Sequence, residues 1–89
     1  MSNAVIAGYC RTPFHFAKKG ALIDMRPDDL AAITIRALVD RTGVDPATIE
    51  DVLMGCAYPE GEQGNNIARI ALLLAGLPVT IGGATMNRF

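Results

Sequence analysis

The sequence has 89 residues, of which 51% are hydrophobic and 19% are charged. A chain of this length makes one small domain at most and buries only about 60–65% of its unfolded surface, so its own core is marginal. The apolar composition therefore favours packing inside a larger assembly. A net charge of −1 argues against a nucleic-acid or acidic-membrane partner, and the longest apolar run, residues 70–77, is too short to span a bilayer.

The two cysteines, Cys10 and Cys56, lie in separate apolar runs and have neither metal-site spacing nor the pattern of a disulfide framework. They are predicted to be reduced core residues, and a bond between them is the less favoured alternative. No signal peptide is visible at the N-terminus. The sequence therefore indicates a reducing compartment, either the cytoplasm or an organelle matrix.

Residues 4–10 are apolar and are followed by Pro13, which predicts a first, central strand. Residues 14–23 lack periodicity and predict a loop whose aromatic side chains fold back onto the core. His15, the only histidine, has no catalytic partner in its motif, so we expect it to be an ordinary loop residue.

A helix is predicted to begin at Pro27 and to end at Gly43, which suits a left-handed stop. Its apolar face comprises Leu30, Ile33, Ala37 and Leu38, widened by Ala31, Ile35 and Val39. Asp45 is then predicted to cap a short helical turn that begins at Pro46 and runs through Glu50.

Residues 52–57 predict a second strand, covered on both faces and parallel to the first. A polar loop at 60–66 leads into a helix at 67–75, which Asn65 or Asn66 can cap and Gly76 can end. This helix is apolar almost all round and is expected between two layers.

Arg69 is the only charge on this second helix, so a buried position would require carboxylate or carbonyl partners. Glu60 and Glu62 are the candidate carboxylates. Phosphate binding by Arg69 is less favoured, because the residue lies inside the helix rather than at its N-terminus.

Residues 80–89 predict a third, buried strand with no turn or polar tail after it. We therefore expect residues 1–89 to be the front piece of a larger protein and not a complete domain. The order strand, helix, strand, helix, strand predicts an α/β fold with a mostly parallel sheet.

The combination of motifs resembles the thiolase family, the acetyl-CoA acyltransferases that cleave or form 3-ketoacyl-CoA thioesters. The matching segments are Arg11-Thr12-Pro13-Phe14, Asp29-Leu30-Ala31, Asp51-Val52-Leu53-Met54-Gly55, Gly61-Glu62-Gln63-Gly64-Asn65-Asn66-Ile67-Ala68-Arg69, Ala75-Gly76-Leu77-Pro78 and Met86-Asn87-Arg88-Phe89. Each is weak alone, but their order and spacing cover nearly the whole chain.

The resemblance implies the first part of a layered αβαβα fold and a nucleophilic cysteine immediately after Phe89, at the start of a buried helix. It places the residues that grip coenzyme A, together with a histidine and a second cysteine acting as bases, further along the chain. It therefore implies an acyl-CoA substrate, no permanently bound cofactor, no metal and no catalytic residue within 1–89.

The resemblance also implies supporting roles and a homodimer or homotetramer. Residues 84–88 would pair with their twofold mate, and the residues around the second helix would brace the nearby loops. The candidates are Asn65, Asn66, Arg69, Ala84, Met86, Asn87 and Arg88. Ordinary packing and capping is the alternative explanation for each of them.

Two other functions remain open from the sequence. The first is a non-catalytic thiolase-like lipid-transfer or scaffold protein that lacks the nucleophile. The second is a small interaction module that docks a partner through its apolar second helix, although much apolar helix surface would then lack cover.

Overall fold

Two helices and two parallel strands form the frame of residues 3–89, the part of the chain that this computed structural model describes. Helix α1 spans Pro27–Thr42, strand β1 Asp51–Gly55, helix α2 Ile67–Leu74 and strand β2 Gly82–Met86, with single 3-10 turns at Pro46–Thr48 and Gly61–Gln63. The two strands pair in parallel, from Asp51 opposite Gly82 to Gly55 opposite Met86. Helix α2 is the crossover that a parallel pair requires, which confirms the α/β class.

Helix α1 begins and ends where the sequence predicts. Pro27 occupies the first turn, and Gly43 adopts a left-handed φ of 70° while its N–H donates to the Val39 carbonyl. A residue with a Cβ would be strained in that conformation, so glycine suits the helix end. Asp45 caps the following turn through the Ala47 N–H, but this turn ends at Thr48 instead of reaching Glu50.

The predicted apolar face of α1 is only partly correct. The residues that reach the core are Ala32, Ile35 and Val39, whereas Ile33 remains 53% exposed and Ala37 lies at the surface. The apolar stripe read from the sequence is wider than the surface that one packed neighbour, α2, can cover.

Helix α2 is capped by Asn66, whose side chain accepts the Arg69 N–H, and the chain leaves it through Gly76 at a φ of 80°. Its inner side is buried at Ala71 and Leu72, but Leu73 and Leu74 are exposed. The capping prediction is confirmed. The prediction of a helix between two layers is only partly correct within the described chain, because α2 packs against α1 and the sheet while its side with Leu73 and Leu74 is exposed.

The predicted first strand is absent from the described residues. Residues 4–10 follow the surface of α1 without a ladder, held where Arg41 donates to the Tyr9 carbonyl and the Cys10 thiol donates to the Thr34 carbonyl. A strand has no internal hydrogen bonds, so apolar composition alone does not form one without an adjacent edge. The parallel pairing predicted for this segment occurs between β1 and β2 instead.

Each strand has one partly covered face and one exposed face. In β1 and β2 alternate residues are partly buried, while Leu53 on β1 and Met86 on β2 are 63% and 51% exposed. The prediction that both faces are covered is therefore wrong for residues 3–89, because α2 packs on one side only. Strand β2 is also shorter than the predicted 80–89, since residues 79–81 form a turn.

The loop before α1 is present, but its aromatic rings face solvent. Phe14 and Phe16 are exposed, which contradicts their predicted packing on the core. His15 is a loop residue as predicted: its Nδ1 accepts the Ala21 N–H at 2.9 Å. The ring nitrogen thus closes a local turn. Phe14 and Phe16 in this loop do not pack on the core.

A buried carboxylate anchors the start of α1. Asp28 accepts two hydrogen bonds from Arg26, at 3.1 and 3.0 Å, and Arg26 also reaches Glu62 at 3.3 Å. The hydrogen bond from Arg26 is the main cause that lowers the pKa of Asp28, with burial opposing it. The carboxylate therefore stays ionised in the fold, and Arg26, which binds both Asp28 and Glu62, joins α1 to the turn before α2.

We expect the Asp28 contribution to stability to disappear in acid. Its folded pKa is lowered, so the contribution is fully present above the unfolded pKa of about 3.9 and is lost as the pH falls through the folded pKa. Urea unfolding across this pH range should show Asp28→Asn less stable than wild type at neutral pH, with a gap that closes in acid. The exposed Asp24→Asn is the control, and a gap for Asp28→Asn that is independent of pH would contradict the role.

Candidate functional site

The first turn of α2 lies directly against β2 at Gly83. A Cβ at Gly83 would lie 2.9 Å from the Arg69 backbone nitrogen and 3.0 Å from its Cα, with Leu72 Cδ2 at 3.2 Å. Two of these atoms belong to backbone, which cannot rotate away as a side chain can. Glycine at this position therefore sets the distance between helix and strand.

Asn66 joins the two elements with a single amide. Its Nδ2 donates to the Gly83 carbonyl at 2.8 Å, and its Oδ1 accepts both the Arg69 N–H at 3.3 Å and the Thr85 hydroxyl at 2.7 Å. One side chain thus caps α2 and binds two alternate residues of β2. Of the predicted candidates, Asn66 makes the most contacts between helix and strand.

Thr85 completes this junction, although it is not among the candidates predicted from the sequence. Its Oγ1 donates to Asn66 Oδ1 and accepts the Ala68 N–H at 3.1 Å, so it satisfies a second amide of the first turn. The available signal was the period of two in a strand, which places Thr85 on the same face as Ile81 and Gly83. Thr85 is the only one of these three residues with a polar side chain, and this marks it as a hydrogen-bonding candidate.

Arg69 binds a backbone carbonyl, which is one of the two kinds of partner predicted for it, and no carboxylate. Its Nη1 donates to the Ile81 carbonyl, while Glu62 pairs with Arg26 and Glu60 is exposed. The prediction of a carbonyl partner is therefore confirmed, and the candidates Glu60 and Glu62 are wrong. The carbonyl lies in the turn just before β2 and accepts one guanidinium N–H without the cost of burying a second charge.

The remaining candidates lie away from this junction. Asn65 is exposed with a φ of 59°, in the turn that leads into α2. Ala84 and Met86 occupy the exposed face of β2, and Asn87 and Arg88 follow it in solvent. The structure thus brings Asn66 and Arg69 together, and the bracing and interface roles of all seven candidates stay predictions.

Both cysteines are unpaired thiols, half-buried, and each is close to backbone. Cys10 donates to the Thr34 carbonyl at 3.4 Å, and the Cys56 N–H donates to the Met86 carbonyl at 2.9 Å. Cys56 also lines a surface cleft of about 500 Å³ beside the carboxyl end of β1. Its lining includes Thr12, Thr34, Tyr58 and Gln63 but no histidine or carboxylate, so it offers Cys56 no general base.

Within residues 3–89 no cluster of three or more histidine, cysteine, aspartate or glutamate side chains is arranged to hold a metal ion. None of the helices described there has the length and apolar character to cross a membrane.

Comparison with known proteins decides the family. Residues 4–89 match the family model for the N-terminal domain of thiolase. The chain belongs to the thiolase family. The resemblance read from the motifs is therefore confirmed over residues 4–89.

Individual thiolases align over most or all of the chain. It is 48% identical over 89 residues to the 3-ketoacyl-CoA thiolase of Bacillus subtilis, covering all of this chain and 23% of that protein. It is 46% identical over 87 residues to the 3-ketoacyl-CoA thiolase of Saccharophagus degradans, covering 97% and 22%. It is 51% identical over 70 residues to the beta-ketoadipyl-CoA thiolase of Pseudomonas aeruginosa, covering 78% and 18%. The chain thus spans less than a quarter of the length of these curated relatives.

We expect Gly83→Ala to destabilise the full-length thiolase that carries this segment by about 1–3 kcal/mol, because the new methyl group forces α2 away from β2. Gly55→Ala is the matched control, since a Cβ there meets nothing within 4 Å, and we expect a change within about 0.5 kcal/mol. Urea unfolding of the two variants measures the difference. Equal stabilities would show that the close approach is not a constraint.

Proposed function

We propose that this chain is the first segment of a thiolase-type acyltransferase, which transfers an acyl group between a cysteine thiolate and coenzyme A. The reaction is 3-ketoacyl-CoA thiolysis or acetyl-CoA condensation. The observation that carries the proposal is the match of residues 4–89 to the N-terminal domain of thiolase. The relatives named as 3-ketoacyl-CoA and beta-ketoadipyl-CoA thiolases support an acyl-CoA substrate.

We also propose that residues 1–89 form part of a domain. The curated relatives are more than four times as long as the aligned segment, which covers 23% of the Bacillus subtilis protein. The sheet supports the same proposal, because parallel sheets are normally covered on both faces and here Leu53 and Met86 are largely exposed.

The nucleophile in this proposal is the cysteine that the family resemblance places directly after Phe89. A cysteine that follows a strand and begins a helix lies at the positive end of the helix dipole, which favours the attacking thiolate. No residue of 1–89 is assigned a catalytic role. His15 is bound to a loop amide, and the contacts of Cys10 and Cys56 are with backbone groups.

Oligomerisation is a further part of the proposal. The outer edge of β2 carries no partner strand among residues 3–89, and Ala84 and Met86 face solvent beside it. An unpaired strand edge can accept the same strand of a second copy. We propose that residues 84–88 pair in this way in a homodimer or homotetramer, with Asn65, Asn66 and Arg69 bracing the adjacent loops.

The remaining features of the proposal follow from the family. Acyl-CoA and coenzyme A act as substrates, no cofactor is permanently bound, and the pathway is fatty acid metabolism. The unpaired state of Cys10 and Cys56 supports a reducing compartment, the cytoplasm or an organelle matrix.

The test is a 3-ketoacyl-CoA thiolysis assay on the full-length thiolase that carries this segment. We expect alanine in place of the cysteine after Phe89 to lower kcat by at least about 10³-fold, because the nucleophile is lost. Iodoacetamide should label that cysteine and inactivate the enzyme in parallel.

Cys10→Ser and Cys56→Ser are the controls, and both should retain activity because neither thiol takes part in the proposed chemistry. Full activity of the nucleophile variant would refute the proposal. A residue other than cysteine after Phe89 would instead indicate the non-catalytic lipid-transfer or scaffold relative.

A further inference from the structure

Thr85 is the last residue of β2 that a side-chain hydrogen bond fastens to α2. We propose that Thr85 is a positioning residue for acyl transfer, which sets the direction in which the chain leaves β2 by joining the strand end to the first turn of α2. This inference rests on the proposed function, because it concerns the segment that leads to the nucleophile.

Three alternate residues of the strand region carry the contacts with α2. Ile81 and Gly83 are bound through their carbonyls, by Arg69 and Asn66 respectively. Any residue supplies a carbonyl, so those two contacts do not depend on side-chain identity at 81 or 83. The Thr85 contact does, because it is made by the hydroxyl.

The hydroxyl acts in a different direction from the sheet ladder. The end of β2 is bound to the neighbouring segment after β1 by the hydrogen bond from the Cys56 N–H to the Met86 carbonyl, at 2.9 Å. That bond lies in the sheet, whereas the Thr85 bonds run out of the sheet toward α2. Together they restrain the strand end in two directions, and without Thr85 the end can pivot about the ladder.

Thr85 does not act by contacting substrate. A threonine hydroxyl has one donor, and here Asn66 receives it while Ala68 donates to the oxygen. Its only donor is therefore used within the protein, and its oxygen already accepts one backbone amide. Its effect on the reaction therefore passes through the backbone of residues 86–89, and a displacement of about 1 Å at a reacting group can cost about 10²-fold in rate.

The experiment compares Thr85→Val and Thr85→Ser in the full-length thiolase. Valine keeps the branched shape that suits a strand but removes both hydrogen bonds, whereas serine keeps the hydroxyl. We expect valine to lower kcat by about 10- to 100-fold with KM for the acyl-CoA within about two-fold, and serine to restore most of kcat. The nucleophile's iodoacetamide alkylation rate should fall with valine and recover with serine.

Thr80→Val is the matched control, because Thr80 is exposed in the turn before β2 and should tolerate the change. An unchanged kcat in Thr85→Val, or a loss that appears only as a higher KM, would overturn the positioning role. If Thr85→Val fails to fold, Thr85→Ala replaces it with the same expected result, since the smaller side chain leaves room for water at the Ala68 N–H.

The two proposals fail differently. An active wild type, an inactive nucleophile variant and a fully active Thr85→Val would overturn the role of Thr85 alone. A wild-type protein without thiolysis activity would overturn the proposed function, and the role of Thr85 with it.

Discussion

The contact between the first turn of α2 and the strand β2 is the constraint on which the rest of the described structure depends. A helix and a strand pack this closely only where a side chain is missing, and Gly83 provides that position. Close approach brings backbone amides of the first turn into the interior, where each needs an acceptor. Asn66 and Thr85 supply those acceptors, so the packing and the polar contacts require each other.

The same constraint explains which residues of α2 are small. Ala68 and Ala71 are fully buried on the inner side of the helix, and Leu72 fills the space between α1, α2 and the sheet. Larger side chains at the alanine positions would separate α2 from the strand and lengthen the bonds that Asn66 makes. Among the described residues no buried side-chain nitrogen or oxygen lacks a partner, which shows that the close packing is achieved without an unpaired polar group.

Signals that act within a few residues of the chain were readable from the sequence. Pro27, Gly43, Asn66 and Gly76 act on backbone groups nearby, and each helix end follows them. Features that depend on distant partners were not readable. Residues 4–10 could form a strand only beside another strand edge. The partner of Arg69 is a carbonyl 12 residues away, and the partner of Thr85 is Asn66, 19 residues away. Family resemblance identified the region around Asn66, but the hydrogen bonds of the folded chain are needed to show that Thr85 belongs to it.

Two sets of contacts orient the turn that leads into α2, and they differ in strength. Arg26 links Glu62 in this turn to α1, but both side chains are about half exposed, so water and salt screen the pair. The bonds from Asn66 to Gly83 and Thr85 are partly buried, and neutral hydrogen bonds of this kind contribute about 1 kcal/mol each. The close approach at Gly83 adds a steric limit that salt does not weaken. The start of α2 is therefore held to β2 by polar contacts and a steric limit, while Leu72 of α2 and Ala75 at its end share the apolar core with Ala32 and Val39 of α1.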